Sequence, residues 1–129
     1  MSIDNVRKYL TRFNRENDIL EFPVSSATVQ LAAEALNVIP ARITKTLALK
    51  DGDGCMVIAV AGDGKIDNKK FKAEFGFKAK MLSPDETLEM TGHAVGGVCP
   101  FALPEGVKAY CDISMKRFDT VFPACGSSN

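Results

Sequence analysis

Pro40-Ala41-Arg42-Ile43-Thr44-Lys45-Thr46-Leu47-Ala48-Leu49 has the alternation of a β-strand. Side chains along a strand point to opposite faces with a period of two, so Ile43, Lys45, Leu47 and Leu49 share one side and Thr44, Thr46 and Ala48 the other. Lys45 therefore lies on the apolar side. An ammonium there must find a partner or snorkel to water along its stem, and the plainer alternative is that Lys45 lies near a sheet edge and does the latter. Lys45 is still the first candidate in the chain for a chemical group.

The flanking sequence supplies elements that would surround such a strand. Asp51-Gly52-Asp53-Gly54 predicts a hairpin turn into the apolar run Cys55 to Ala61, with the two strands paired antiparallel. Upstream, Ile3, Val6, Leu10 and Phe13 recur at helical spacing and predict an amphipathic helix from Asp4 to about Asn14. Ile19 to Phe22 alternates as a short strand closed by Pro23. Ser25 or Ser26 is placed to cap a helix over Ala27 to Leu36, ended by Asn37 and Pro40.

Downstream, Asn68 to Phe75 reads as a helix with a basic face, stopped by Gly76, and Lys78 to Leu82 as a strand. Ser83-Pro84-Asp85-Glu86 combines a cap, a proline at the first helical position and a glutamate three residues after the cap, which marks a helix running to Gly92. Val107 to Asp112 and Val121 to Cys125 read as strands, with one helical turn over Ile113 to Phe118. Helices and short strands interleave without regular βαβ spacing. The expected class is α+β, with a mixed, mainly antiparallel sheet and helices around it.

At 129 residues, with 46% hydrophobic and 25% charged residues, the chain fits one soluble domain with a single core. Sixteen basic and sixteen acidic residues cancel, so no global field draws in nucleic acid and such a partner needs a local basic face. Lys65, Lys69, Lys70, Lys72, Lys78 and Lys80 form the one cluster suited to phosphate contacts, the alternative being a solvated face. No stretch resembles a signal peptide or a membrane span, so a cytoplasmic protein is expected. Cys55, Cys99, Cys111 and Cys125 lack CxxC spacing and His93 is the lone histidine, which argues for reduced thiols and against a structural zinc site.

Thr91-Gly92-His93-Ala94-Val95-Gly96-Gly97-Val98-Cys99-Pro100-Phe101 is too glycine-rich for a regular element and too apolar for a solvated loop. Glycines let backbone N–H groups converge on an anion, which suits acyl transfer; the alternative is a turn fixed by Pro100. His93 offers a base or, more simply, a structural hydrogen-bonder. Cys99 offers a thiol, although no second histidine or evident acid completes a triad. Gly62-Asp63-Gly64-Lys65 lacks P-loop spacing and reads as a turn.

Together, Ile43-Thr44-Lys45-Thr46-Leu47, the Gly96 to Pro100 GxxxP loop and the late Val-Phe-Pro-Ala strand before a glycine-serine turn resemble the YbaK/ProX family of aminoacyl-tRNA deacylases. That family is related to the editing domain of bacterial prolyl-tRNA synthetases. The resemblance covers nearly the whole chain and implies a barrel-like sheet surrounded by helices. It implies hydrolysis of mischarged tRNA at its acceptor end, most often tRNA(Pro) carrying alanine or cysteine, without metal or other cofactor and with prolyl-tRNA synthetase as a further partner. Lys45 matches the family's functional lysine and Gly96 through Pro100 its loop. In those terms Lys45 holds and polarises the substrate, and amides of the loop, with Gly97 and Val98 the first choices, stabilise an oxyanion. Thr46, His93, Cys99, Pro100, Ser127 and Ser128 are the expected substrate-binding residues. The alternative is a non-catalytic tRNA- or synthetase-binding module of the same fold. One departure is that such proteins continue past the glycine-serine turn into a further strand and helix. This sequence stops at Asn129, so the single domain, 1–129, is expected either to be truncated at its C-terminus or to lack those last elements.

Overall fold

The computed structural model describes residues 2–129. Ile43–Asp51 (β1) and Gly54–Ala61 (β2) form a long antiparallel hairpin, in register from Thr44 opposite Ala61 to Asp51 opposite Gly54. Gly52, at φ 60°, supplies the positive φ that a two-residue hairpin turn requires. Lys108–Cys111 (β3) adds to the free side of β2 and Phe122–Pro123 (β4) to the free side of β1, giving a curled half-barrel sheet in the order β3-β2-β1-β4. The antiparallel character lies in the central hairpin. Both flanking strands are short and run parallel to their neighbours, because each returns to the sheet by a long crossover rather than a tight turn.

Four helices surround the sheet: Ser2–Thr11 (α1), Val29–Leu36 (α2), Asn68–Phe75 (α3) and Pro84–Thr91 (α4). The cap of α4 is as its sequence predicts, with Ser83 Oγ accepting from Glu86 N–H at 3.2 Å and Glu86 Oε1 accepting from Ser83 N–H at 3.0 Å. The cap of α2 is Thr28, whose Oγ1 accepts from Leu31 N–H at 3.1 Å, rather than Ser25 or Ser26. No helix among the described residues is long and apolar enough to cross a membrane.

Alternation along β1 sends its side chains into separate clusters. Leu49 packs with Met56 and Phe71, backed by Phe75, Phe77 and Tyr110 on the α3 side. Ala48 packs with Cys55, Val57 and Leu82 on the α4 side. At the start of the strand Ile43 meets Ala32 and Ala33 of α2. Burying a side chain of this size contributes about 2 kcal/mol, so the far end of β1, covered on both faces, anchors the sheet.

The backbone of β1 leaves a gap at its outer edge. Gly62 N–H donates to the Ile43 carbonyl at 2.7 Å, so the odd-numbered residues bond toward β2 and Thr44, Thr46, Ala48 and Lys50 turn outward. On that edge Thr44 pairs with Pro123, Ala48 accepts from Leu82 N–H at 3.1 Å, and Lys50 donates to the Lys80 carbonyl at 2.8 Å. Among the described residues nothing pairs with Lys45, Thr46 or Leu47 there.

Three expected strands shrink for related reasons. Lys78 to Leu82 contributes only the bridge of Met81 to Leu49. Val121 to Cys125 is reduced to two residues, one of them Pro123, which has no N–H to extend a ladder. Ile19 to Phe22 is not a strand. A 3-10 turn over Glu16–Asp18 precedes it, and Phe22 instead bonds to the chain end, its N–H donating to the Asn129 carbonyl at 2.7 Å.

Candidate active site

The gap in β1 opens into a cleft of about 1010 Å³. Because the edge is open, residues from both faces of the strand reach it, and Lys45, Thr46 and Leu47 form one wall. Lys45 is half-buried, and its ammonium has no ion pair or hydrogen bond among the described residues. Its charge is felt by Asp63, whose carboxyl is held below the usual range chiefly by hydrogen bonds from Arg117 at 2.7 and 3.1 Å. Thr46 Oγ1 is buried without a hydrogen-bond partner among the described residues. A buried hydroxyl left unsatisfied is unusual in a native fold and is the kind of group a bound ligand completes.

The Gly96 to Pro100 loop lines the same cleft through Gly96 and Val98. Gly96 adopts φ 97°, the left-handed region that favours glycine, and packs on Ala27. Gly97 lies against the Gly126-Ser127 backbone so closely that an added Cβ would be 2.7 Å from Gly126 C and Ser127 N. Its hydrogen bonds are already spent: its N–H donates to the Ala94 carbonyl at 2.9 Å and its carbonyl accepts from Gly126 N–H at 3.0 Å. The expectation that the Gly97 amide serves as an oxyanion donor therefore needs correction. Gly97 holds the loop in place, while the amides of Gly96 and Val98 have no hydrogen-bond partner among the described residues.

The remaining expected residues divide. Ser127 lines the cleft, and its hydroxyl donates to Asn129 Oδ1. Ser128 lies behind it, its carbonyl accepting from Ser26 N–H at 2.7 Å, so the last residues are tied to the segment before α2. His93, Cys99 and Pro100 do not line the cleft. His93 is fully buried; its Nε2 lies 2.8 Å from the Phe101 carbonyl, which can only accept, so the proton is assigned to Nε2 and Nδ1 accepts from the Ser2 hydroxyl. Both ring nitrogens are used in joining α1 to the loop. Cys99 is fully buried, 3.4 Å from His93 Nε2, and burial pushes its thiol up to about 12, which keeps it protonated.

Several lining residues escaped the sequence reading. Ala27, Val29 and Ala32 give the cleft a small-residue wall, and Phe22, Phe101 and Phe122 give it aromatic surface. The small residues of the Ser25-Ser26-Ala27-Thr28 segment were visible as a helix start, but nothing local signalled that they face an opening. Cys125 also lines the cleft, and burial raises its thiol above the ordinary range. Among the described residues no three His, Cys, Asp or Glu side chains gather where a metal ion could be held. What the arrangement offers is one cation without an ion pair among the described residues, Lys45, since Arg15 at the same cleft is paired with Asp18, together with an unpaired hydroxyl and free loop amides around a water-accessible cavity, the components of carbonyl polarisation and oxyanion stabilisation.

Comparison with known proteins agrees with this chemistry. Residues 24–129 match the family model described as an aminoacyl-tRNA editing domain. The chain is 57% identical over 130 residues to the uncharacterized protein YwhH of Bacillus subtilis, covering 100% of this chain and 83% of that protein. It is 30% identical over 90 residues to a proline–tRNA ligase of Kosmotoga olearia, covering 69% of this chain and 16% of the ligase. The crystal structure of a candidate trans-editing enzyme for prolyl-tRNA synthetase superposes with a TM-score of 0.88 at 27% identity, covering 99% of this chain and 82% of that one.

Proposed function

Since the chain belongs to the aminoacyl-tRNA editing domain family and is an aminoacyl-tRNA deacylase, we propose that it acts in the cytosol, in trans to prolyl-tRNA synthetase, on tRNA(Pro) carrying a small wrong amino acid such as alanine or cysteine. The observation that carries this reading is that one cleft is lined both by Lys45, whose ammonium has no partner among the described residues, and by Gly96 and Val98, whose amides are free there.

Hydrolysis then proceeds by attack of water on the ester carbonyl. Lys45 holds and polarises the substrate beside the scissile bond. As the C–O(water) bond forms, charge moves onto the carbonyl oxygen and is met by the Gly96 and Val98 amides, each such donor being worth about 10²-fold or more in rate. Collapse breaks the bond to the ribose oxygen, which leaves with a proton that originated on the water. Thr46 Oγ1 and Ser127 orient the amino acid, and Ala27, Val29 and Ala32 give its side chain an apolar surface. A cavity excludes by size what it cannot accommodate, which is how an editing site spares a larger cognate product.

The test is deacylation of a panel of Ala-, Cys-, Ser- and Pro-tRNA(Pro). Faster release of a small amino acid than of proline is expected, and Lys45→Met should lower kcat/KM by about 10²-fold or more with the fold retained. Full activity in Lys45→Met would overturn the role of Lys45, and release of proline as fast as alanine would overturn the substrate assignment.

A further inference from the structure

Beside the cleft lies a second, smaller cavity of about 300 Å³ between β1 and α3, lined by Lys45, Leu47, Lys65, Ile66, Asn68 and Met81, among others. Lys45 is common to both cavities. The small one is framed by a strongly basic segment: residues 65–80 carry six lysines against Asp67 and Glu74, in a chain whose total charge is zero. None of those six lysines forms an ion pair among the described residues, and Lys65 and Asn68 are exposed at the mouth.

We propose that this cavity is a phosphodiester subsite for the terminal nucleotides of the tRNA. Lys65 and Asn68 bind the phosphate and Lys45 bridges it to the ester. The chemistry of the substrate demands such an arrangement: in an aminoacyl-tRNA the acyl ester is on a 2′ or 3′ ribose oxygen, and the 5′ oxygen of the same ribose carries the phosphate. A nucleotide seated across the gap in β1 presents its ester to the cleft and its phosphate to the neighbouring cavity, with one lysine between them. Lysine acts toward phosphate as a point charge, and Asn68 Nδ2 supplies a directional donor. The neighbouring Lys69, Lys72, Lys78 and Lys80 extend the same positive surface for the preceding phosphates of a single strand. A local excess of positive charge on this face lets a protein of zero net charge take up an RNA end in one orientation.

This inference rests on the deacylase reading for its ligand, and two measurements separate the two. The first is binding of uncharged tRNA across a salt series. Lys65→Glu should weaken binding on the order of tenfold and reduce the slope of log affinity against log salt by about 0.7, the value for one phosphate contact to a single strand. The second is the ratio of kcat/KM for mischarged tRNA to that for the same amino acid esterified to adenosine, which has no phosphate. Lys65→Glu and Asn68→Ala should lower that ratio, the former on the order of tenfold, while Lys8→Glu on α1, with the same charge change, should leave it as it is. Unchanged salt slope and ratio in Lys65→Glu, or an equal effect of Lys8→Glu, would overturn the subsite. A wild-type protein that cleaves neither ester yet shows the Lys65-dependent salt slope would overturn the deacylase reading and leave the subsite standing.

Discussion

The two walls of the cleft are built on different physical terms. The β1 wall is a strand segment whose position is set by backbone ladders on either side of it, with β2 along its length and with β4 and residues 80–82 beyond its ends. Its candidate functional side chains, Lys45 and Thr46, take almost no part in holding it. The loop wall is the reverse. Gly96 and Val98 belong to no ladder, and their position depends on side-chain pins and close contacts: His93 between Ser2 and Phe101, and Gly97 against Gly126 and Ser127. The contrast teaches that substitution in the first wall should remove chemistry and spare structure, whereas substitution behind the second should act on structure and reach chemistry through it.

The largest effect expected on the loop wall is from Gly97→Ala. A Cβ at 2.7 Å from two backbone atoms cannot be accommodated by a rotamer change, so the loop must move away from 126–127. Misplacing donors by about 1 Å can cost on the order of 10²-fold in rate, so kcat/KM should fall by about that factor in steady-state deacylation. Wild-type activity would break the comparison by showing that the loop tolerates displacement. His93→Ala comes next: it leaves the Ser2 hydroxyl and the Phe101 carbonyl without their partner and opens a cavity. A loss of about 3 kcal/mol is expected in urea denaturation, with a smaller drop in activity. A stability change below about 1 kcal/mol would mean that His93 is not the pin described. The smallest effect is expected for Cys99→Ala, which removes one buried sulfur and should cost about 1 kcal/mol with activity kept within about threefold. Abolished activity with an intact fold would make the thiol a reacting group, despite the burial that keeps it protonated.

The site was legible in the sequence to different depths on the two walls. Lys45 stood out because a lysine on the apolar face of a strand conflicts with its surroundings, and such conflicts mark functional positions. The glycines announced a shaped loop, but not which amides remain free, because the bond of Gly97 to Ala94 and the approach of Gly126 are consequences of packing. His93 and Cys99 looked like site residues by proximity in sequence, yet their side chains point into the core behind the loop.

Residue order and periodicity by themselves determined the four helices, the β1–β2 hairpin, the cap of α4 and the identity of the one conspicuous lysine, since each depends on neighbours a few positions apart. Only the tertiary structure decided that β4 and residues 80–82 stop short of one another along β1. That gap turns a strand edge into a cleft wall, leaves Thr46 Oγ1 unpaired and places Lys45 between two cavities. The contacts that make it join residues some thirty to eighty positions apart in sequence, and no local pattern encodes where such partners end.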